Sequence, residues 1–179
     1  GSQSKNVKYD WARYTDTIRS LQPDAVIFGT LGAEPYIEAR WVGNESGFAG
    51  NPCWSTIDSQ AIIDETTSLL NSGKIDGNRF LPAEADVSIR PGWFYHKEQD
   101  NDVRDVSNLL KLWFLSCGRN TSLLLNLPPD RRGLVHENDA KSLLEFNRVL
   151  TFLSKRPDLL DFETDLDNAW FGVTVTRKA

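Results

Sequence analysis

Hydrophobic residues along the chain form either helical stripes or short continuous runs. Apolar positions in residues 10–21 and 102–117 recur every three or four residues, which predicts two amphipathic helices. Weaker patterns predict helices over residues 62–70 and 138–153. We expect Asp10 to cap the first helix, and Pro23 and Gly118 follow the ends of the first and third helices. In the last helix five residues are predicted to face the core: Ala140, Leu143, Leu144, Leu150 and Leu153.

Three apolar runs predict buried parallel strands, at residues 25–28, 80–89 and 122–126. Residues 30–56, between the first strand and the second helix, are predicted to be one long loop, and residues 170–176 form a further candidate strand. The alternation of helices and strands is typical of parallel α/β proteins. A (β/α)8 barrel needs eight strands, so the pattern favours part of such a barrel. An open sheet stays possible, although no glycine-rich phosphate loop follows a strand.

Composition narrows the classes of function. The chain has 179 residues, a net charge of −5 and 40% hydrophobic residues, which is typical of a folded globular protein. The acidic balance argues against binding through nucleic-acid phosphates, and no apolar run is long enough to span a bilayer. Cys53 and Cys117 exclude a disulfide-rich scaffold but leave a single disulfide, buried thiols or reactive thiols open. His96 and His136 lack metal-ligand spacing, so we expect no metal and no cofactor.

Glu45 is the first candidate for chemistry. It lies in residues 40–47, between Gly43 and Gly47 and near Arg40 and Trp41. Glycines let the backbone approach a ligand closely, and a carboxyl group among aromatic rings suits acid catalysis of glycosidic bond cleavage. The alternative interpretation is a solvated loop glutamate.

The second candidate segment covers residues 82–96. Glu84, Asp86, Ser88 and Arg90 alternate along the predicted strand and therefore share one of its faces. We expect Arg90 to form an ion pair with Glu84 or Asp86, either within a substrate site or as a structural salt bridge. In a third segment, residues 118–129, Arg119 and Asn120 are predicted to satisfy backbone groups at the barrel rim, and Asn126 stands at a strand end.

Together these segments resemble a known family. Residues 24–28, 40–47, 53–56, 82–96, 118–129 and 132–134 are similar, in order and spacing, to the family 29 glycoside hydrolases, which are α-L-fucosidases. The resemblance implies a retaining mechanism on a (β/α)8-like barrel. It also implies that residues 1–156 are the C-terminal part of the catalytic barrel and residues 157–179 a tail.

The resemblance implies roles for individual residues. In the branch that prefers α-1,3/1,4-linked fucose, the acid/base is the glutamate that here is Glu45. Arg90 and Trp93 are implied to line the sugar site and Trp54 the aglycone side. Glu84 and Asp86 join them as candidate substrate-binding residues because of their strand positions.

One element of the family pattern has no counterpart in this sequence, because no strand carrying the nucleophilic aspartate precedes Tyr9. Asp10 stands at a helix start and is not its replacement. We therefore expect hydrolysis to need an N-terminal barrel half, on the same or a separate polypeptide. The alternatives are a non-catalytic fragment that binds fucosylated or galactosylated glycans, and a glycosidase for another sugar. Residues 1–5 lack the apolar core of a signal peptide, whereas the family suggests a secreted, periplasmic or lysosomal protein.

Overall fold

The computed structural model describes residues 7–29, 36–58, 67–157, 160–165 and 170–175. The described helices are α1 Trp11–Leu21, α2 Thr67–Ser72, α3 Val106–Ser116 and α4 Glu137–Ser154. The described strands are β1 Phe28–Gly29, β2 Ala39–Trp41, β3 Thr56–Ile57, β4 Arg79–Phe80, β5 Ala83–Ser88, β6 Thr121–Asn126, β7 Leu160–Asp165 and β8 Trp170–Val175.

The main sheet contains four parallel strands in the order β1-β2-β5-β6. The pair β5 and β6 is the longest, in register from Ala83 opposite Thr121 to Ser88 opposite Asn126. The predicted α/β fold with a parallel sheet is thus confirmed, with each predicted strand overlapping one of β1, β5 and β6. Two antiparallel pairs, β3 with β4 and β7 with β8, lie outside this sheet. The pair β7 and β8 includes the strand predicted in the tail.

The prediction of an uninterrupted loop over residues 30–56 is wrong, because β2 lies within it and pairs with both β1 and β5. Two charged residues, Glu38 and Arg40, interrupt the apolar pattern there. Arg40 is nevertheless fully buried. Its guanidinium donates from Nε to the Leu70 carbonyl at 2.9 Å and also to the Leu81 carbonyl, so its polar atoms are satisfied inside the protein.

Helix ends follow local capping chemistry. The Asp10 side chain accepts from the Arg13 amide at 3.1 Å, as predicted for the start of α1. Helix α3 begins later than residue 102, because Asp105 caps it and the Arg104 amide donates to the Ile89 carbonyl at the end of β5. Of the helix predicted over residues 62–70, residues 62–66 lie outside the described part, and α2 ends at Ser72.

The core lies between one face of the sheet and helices α3 and α4. Its largest described cluster contains Val87, Ile89, Leu109, Leu112 and Phe146. Each such side chain contributes about 1.5–3 kcal/mol when it leaves water. On α4 the structure corrects the sequence pattern: Leu144 is 57% exposed, whereas the carboxylate residue Asp139 is fully buried.

The opposite face of the sheet is polar and open. Alternation along β5 places Ala83, Ala85 and Val87 in the core, and the half-buried Glu84 and Asp86 on the other face. Helix α1 also presents apolar surface, since none of its residues is buried and Trp11, Tyr14 and Leu21 are exposed. Among the described residues, no helix has the length and apolar character required to cross a membrane.

Candidate functional site

Glu45 lies in a tight loop that follows the carboxyl end of β2. Both flanking glycines adopt positive φ, 83° at Gly43 and 78° at Gly47. Asn44 stabilises the turn, because its side-chain oxygen accepts from the Ser46 amide at 3.0 Å and its Nδ2 donates to the Phe48 carbonyl. The loop therefore has a defined shape around the glutamate.

Gly47 ties this loop to the core. A Cβ atom at this position would come within 2.9 Å of both Leu112 Cδ2 and Val87 Cγ1. A side chain at this position would force those two core side chains to shift, and the positive φ independently favours glycine. The Glu45 loop is consequently held directly against β5 and α3, two of the best-packed elements.

The structure brings Glu45 together with Trp93, the predicted sugar-site residue of the second segment. The indole Nε1 of Trp93 donates to Glu45 Oε2 at 3.0 Å, across 48 positions of sequence. The glutamate follows the carboxyl end of β2 and the tryptophan follows that of β5, and these two strands are neighbours. In parallel α/β proteins this edge of the sheet is where active sites lie.

Arg90 does not pair with Glu84 or Asp86, so that predicted ion pair is wrong. Its Nε donates instead to Asp139 Oδ2 at 2.8 Å, and its Nη1 to Asp100 Oδ1 at 3.0 Å. The guanidinium also lies 4.8 Å from the centre of the Tyr95 ring, in cation–π geometry. Because the Arg90 side chain is fully buried in this network, its implied contact with a sugar remains a prediction.

Glu84 and Asp86 share the open face of β5, as their alternation predicted. Asp86 Oδ1 accepts from the indole Nε1 of Trp41 at 2.6 Å, which links β5 to β2. Burial raises the pKa of Glu84, and the neighbouring charge of Asp86 raises it further. This face therefore carries two nearby carboxyl groups, and their contact with a substrate stays a prediction.

Trp54 lies beside the buried Arg40. The Trp54 carbonyl accepts from Arg40 Nη2 at 2.8 Å and its amide donates to the Ser72 carbonyl, while 36% of the residue is exposed. Its aglycone role remains a prediction.

Both cysteines are free thiols whose pKa values are raised by burial. Within the described residues, no three His, Cys, Asp or Glu side chains are grouped to hold a metal ion.

Sequence reasoning named Ser88 and Asn126 but missed the contacts through which they support this site, and it missed Asp139. Ser88 and Asn126, at the carboxyl ends of β5 and β6, are hydrogen-bonded to each other and to the backbone next to Trp93. Asp139 reaches Arg90 from α4. The sequence placed Asn126 only at a strand end, and the buried Asp139 gave no signal, because a carboxylate in the first turn of a helix is ordinary.

Comparisons with known proteins identify relatives of the chain. The chain is 39% identical over 151 residues to α-L-fucosidase 1 of Arabidopsis thaliana, an alignment that covers 83% of this chain and 29% of that protein. The solved structure of SpGH29 matches with a TM-score of 0.79 and 38% identity, over 91% of this chain and 35% of that one. The chain is homologous to part of the family 29 α-L-fucosidases.

A second family 29 structure, a Ruminococcus gnavus fucosidase solved in complex with fucose, matches with a TM-score of 0.70 and 30% identity. That match covers 85% of this chain and 32% of the R. gnavus chain. The chain thus spans about a third of the length of these fucosidase relatives. No protein-family model matches it.

Proposed function

We propose that this chain supplies the acid/base part of a retaining α-L-fucosidase that acts on α-1,3/1,4-linked fucose. The observation that carries the proposal is the contact between Trp93 Nε1 and Glu45 Oε2, at the carboxyl ends of neighbouring parallel strands. The relatives named above are fucosidases, and one of them was solved with fucose. The linkage preference is inferred from the motif around Glu45.

Glu45 has two successive roles in the proposed reaction. An aspartate supplied by the rest of the enzyme attacks the anomeric carbon while the Glu45 carboxyl group protonates the departing glycosidic oxygen. The resulting Glu45 carboxylate then takes a proton from water, whose oxygen attacks the same carbon and displaces the aspartate. Both carboxyl groups finish the cycle in their starting protonation states.

We propose that the nucleophile comes from outside this chain, and the capping role of Asp10 in α1 supports this. We propose that further barrel strands, on the same or a separate polypeptide, pair with the outer edges of β1 and β6. The exposed apolar side chains of α1 favour such a covering layer, and uncovered edges of parallel sheets are uncommon. The family relationship suggests a secreted, periplasmic or lysosomal enzyme. Intact mass of the natural protein would decide between one polypeptide and two.

The test is the variant Glu45→Gln in the active protein that contains this chain. We expect turnover of an α-1,3/1,4-fucosylated oligosaccharide to fall by roughly 10²-fold or more, as expected for loss of a general acid. The rate of fucosyl-enzyme formation from a nitrophenyl fucoside should fall less, because nitrophenolate leaves without a proton. Glu98→Gln is the control, since Glu98 has a 79% exposed side chain. Unchanged oligosaccharide turnover in Glu45→Gln would refute the proposal.

A non-catalytic glycan-binding fragment is the second candidate. It is favoured by the engagement of Asp10 in a helix cap together with the exposed polar face that carries Glu84 and Asp86. Saturation-transfer NMR with a fucosylated oligosaccharide tests it on the 179-residue chain. Binding without release of fucose, even when the remaining barrel is supplied, would favour this function over hydrolysis. A panel of aryl glycosides would identify a glycosidase for another sugar.

A further inference from the structure

The Trp93 loop, residues 90–96, leaves the end of β5 and carries the indole that reaches Glu45. Its backbone is fixed by a side chain on the neighbouring strand: Asn126 Nδ2 donates to the Trp93 carbonyl at 3.0 Å. A carbonyl only accepts hydrogen bonds, so the amide nitrogen of Asn126, and not its oxygen, must face it. The contact therefore depends on a side-chain N–H donor, which asparagine has and aspartate lacks.

The second N–H of Asn126 is also used. Nδ2 lies 3.0 Å from Ser88 Oγ, and that hydroxyl donates to the Gly92 carbonyl at 2.7 Å. Asn126 and Ser88 are register partners at the carboxyl ends of β6 and β5. Two consecutive carbonyls of the Trp93 loop, those of Gly92 and Trp93, are thus held by the paired ends of two strands.

Trp93 is consequently held at both ends. Its carbonyl is bound by Asn126 and its indole by Glu45 Oε2. Within a single rotamer of the two rotatable bonds of tryptophan, the position of the backbone sets where the indole N–H points. A shift of the loop by an ångström would weaken the hydrogen bond to Glu45, because such bonds weaken steeply with distance and angle.

We propose that Asn126 is a positioning residue for Glu45, which it influences through the backbone of Trp93. The catalytic part of this inference rests on the proposed acid/base role of Glu45. The structural part, the positioning of the Trp93 indole, does not. Asn126 does not contact the substrate in this proposal. It sets the direction from which the indole N–H approaches the carboxylate.

The structural part is tested by the indole ¹⁵N–¹H resonances of the 179-residue chain. Trp93→Phe identifies the Trp93 signal by its disappearance among those of the six tryptophans. We expect that signal to shift in Glu45→Gln and in Asn126→Asp. The matched control is Asn120→Asp, at the opposite end of β6, where the side chain binds the Cys53 carbonyl and Ser55 Oγ. Asn126→Leu removes the same donors without adding a charge.

The outcomes separate clearly. A shift of the Trp93 indole in both Asn126 variants, with none in Asn120→Asp, supports the proposal. A Trp93 signal that responds to Glu45→Gln but to neither Asn126 variant overturns it. Thermal unfolding monitored by circular dichroism confirms that each variant is folded before its spectrum is compared.

The catalytic part is tested by two substrates and a double-mutant cycle in the active protein. Asn126→Asp should lower kcat for the fucosylated oligosaccharide by about tenfold, and formation of the fucosyl-enzyme from nitrophenyl fucoside by less than about twofold. In a Trp93→Phe background, Asn126→Asp should cause no further loss of kcat for the oligosaccharide, because both changes act on one contact. Equal losses on both substrates, or additive losses, would contradict a positioning role. No effect of Glu45→Gln would instead reject the proposed function itself.

Discussion

Arg90 and Asp139, which lie 49 positions apart in the sequence, form an ion pair with no exposed side-chain surface on either partner. The pair joins the Trp93 loop to the first turn of α4. Asp100 adds a second carboxylate to the same guanidinium. Burying an isolated charge costs free energy, and in this pair each charge offsets part of the cost of burying the other.

Removal of the carboxylate charge should therefore destabilise the protein strongly. We expect Asp139→Asn to lower the free energy of unfolding by about 3–5 kcal/mol, because the buried Arg90 charge loses its closest partner. Urea denaturation would measure this. Glu145→Gln, a partly buried carboxylate on the same helix, serves as the control. A similar small loss in both variants would show that Asp100 alone suffices for Arg90.

Asp130 gives a pH-dependent prediction. Hydrogen bonds from the Arg132 guanidinium lower the pKa of Asp130 from 3.8 to about 2, assisted by the Arg132 and Leu134 amides. A lowered pKa stabilises the fold above pH 4, and that contribution disappears as the pH falls from about 4 to 2. The Tm of Asp130→Asn should thus lie below that of the unmodified protein near pH 6. This difference in Tm should disappear near pH 2. The control Asp16→Asn, on exposed α1, should leave Tm nearly unchanged.

Glu84 gives a prediction of opposite sign. Burial and the charge of Asp86 raise the pKa of Glu84, so its ionised form opposes folding above its unfolded pKa. Glu84→Gln should therefore raise Tm at pH 7, by roughly 1–3 °C. The advantage should vanish below about pH 4, where glutamate is protonated in both states. A lower Tm at pH 7 would mean that the Glu84 carboxylate has a stabilising partner.

Leu109 tests the position of the core. It is 1% exposed and packs with Val87, Leu112 and Phe146, so Leu109→Ala should lower the free energy of unfolding by about 2–5 kcal/mol. Leu144→Ala makes the same change at a side chain with 57% exposure, and should cost less than about 0.5 kcal/mol. The sequence pattern predicted both leucines to face inward. Equal losses in the two variants would support that pattern over the structure.

Much of the fold was predictable because its signals are local. The apolar and polar alternation in β5 and the stripe in α3 come from burial on one face, which leaves a period in the sequence. Strand β2 left no such period. It is three residues long, and it includes Arg40, which is buried because its guanidinium binds carbonyl groups of distant residues. Hydrophobicity patterns do not register a cation that is stabilised in this way.

The candidate site was predictable in its residue types but not in its pairings. Glu45 stood out through neighbouring glycines and aromatic residues, and Trp93 through the family resemblance. Their contact nevertheless spans two strand ends that only the sheet order brings together. Arg90 binds Asp139 rather than Glu84 or Asp86, because β5 ends at Ser88 and Arg90 lies beyond the alternation of the strand. Partner choice of this kind depends on tertiary packing.

The contact between Gly47 and the side chains of Val87 and Leu112 has a practical consequence for directed evolution. Libraries that randomise the Glu45 loop would lose many folded members changed at Gly47, since its positive φ and its contacts with Val87 and Leu112 disfavour a side chain there. Diversity is better introduced in the neighbouring Trp93 loop at Phe94, which is 78% exposed. Loop redesign should therefore keep the backbones of both loops and vary only exposed side chains such as Phe94, because Asn126 and Ser88 hold the Trp93 loop in place.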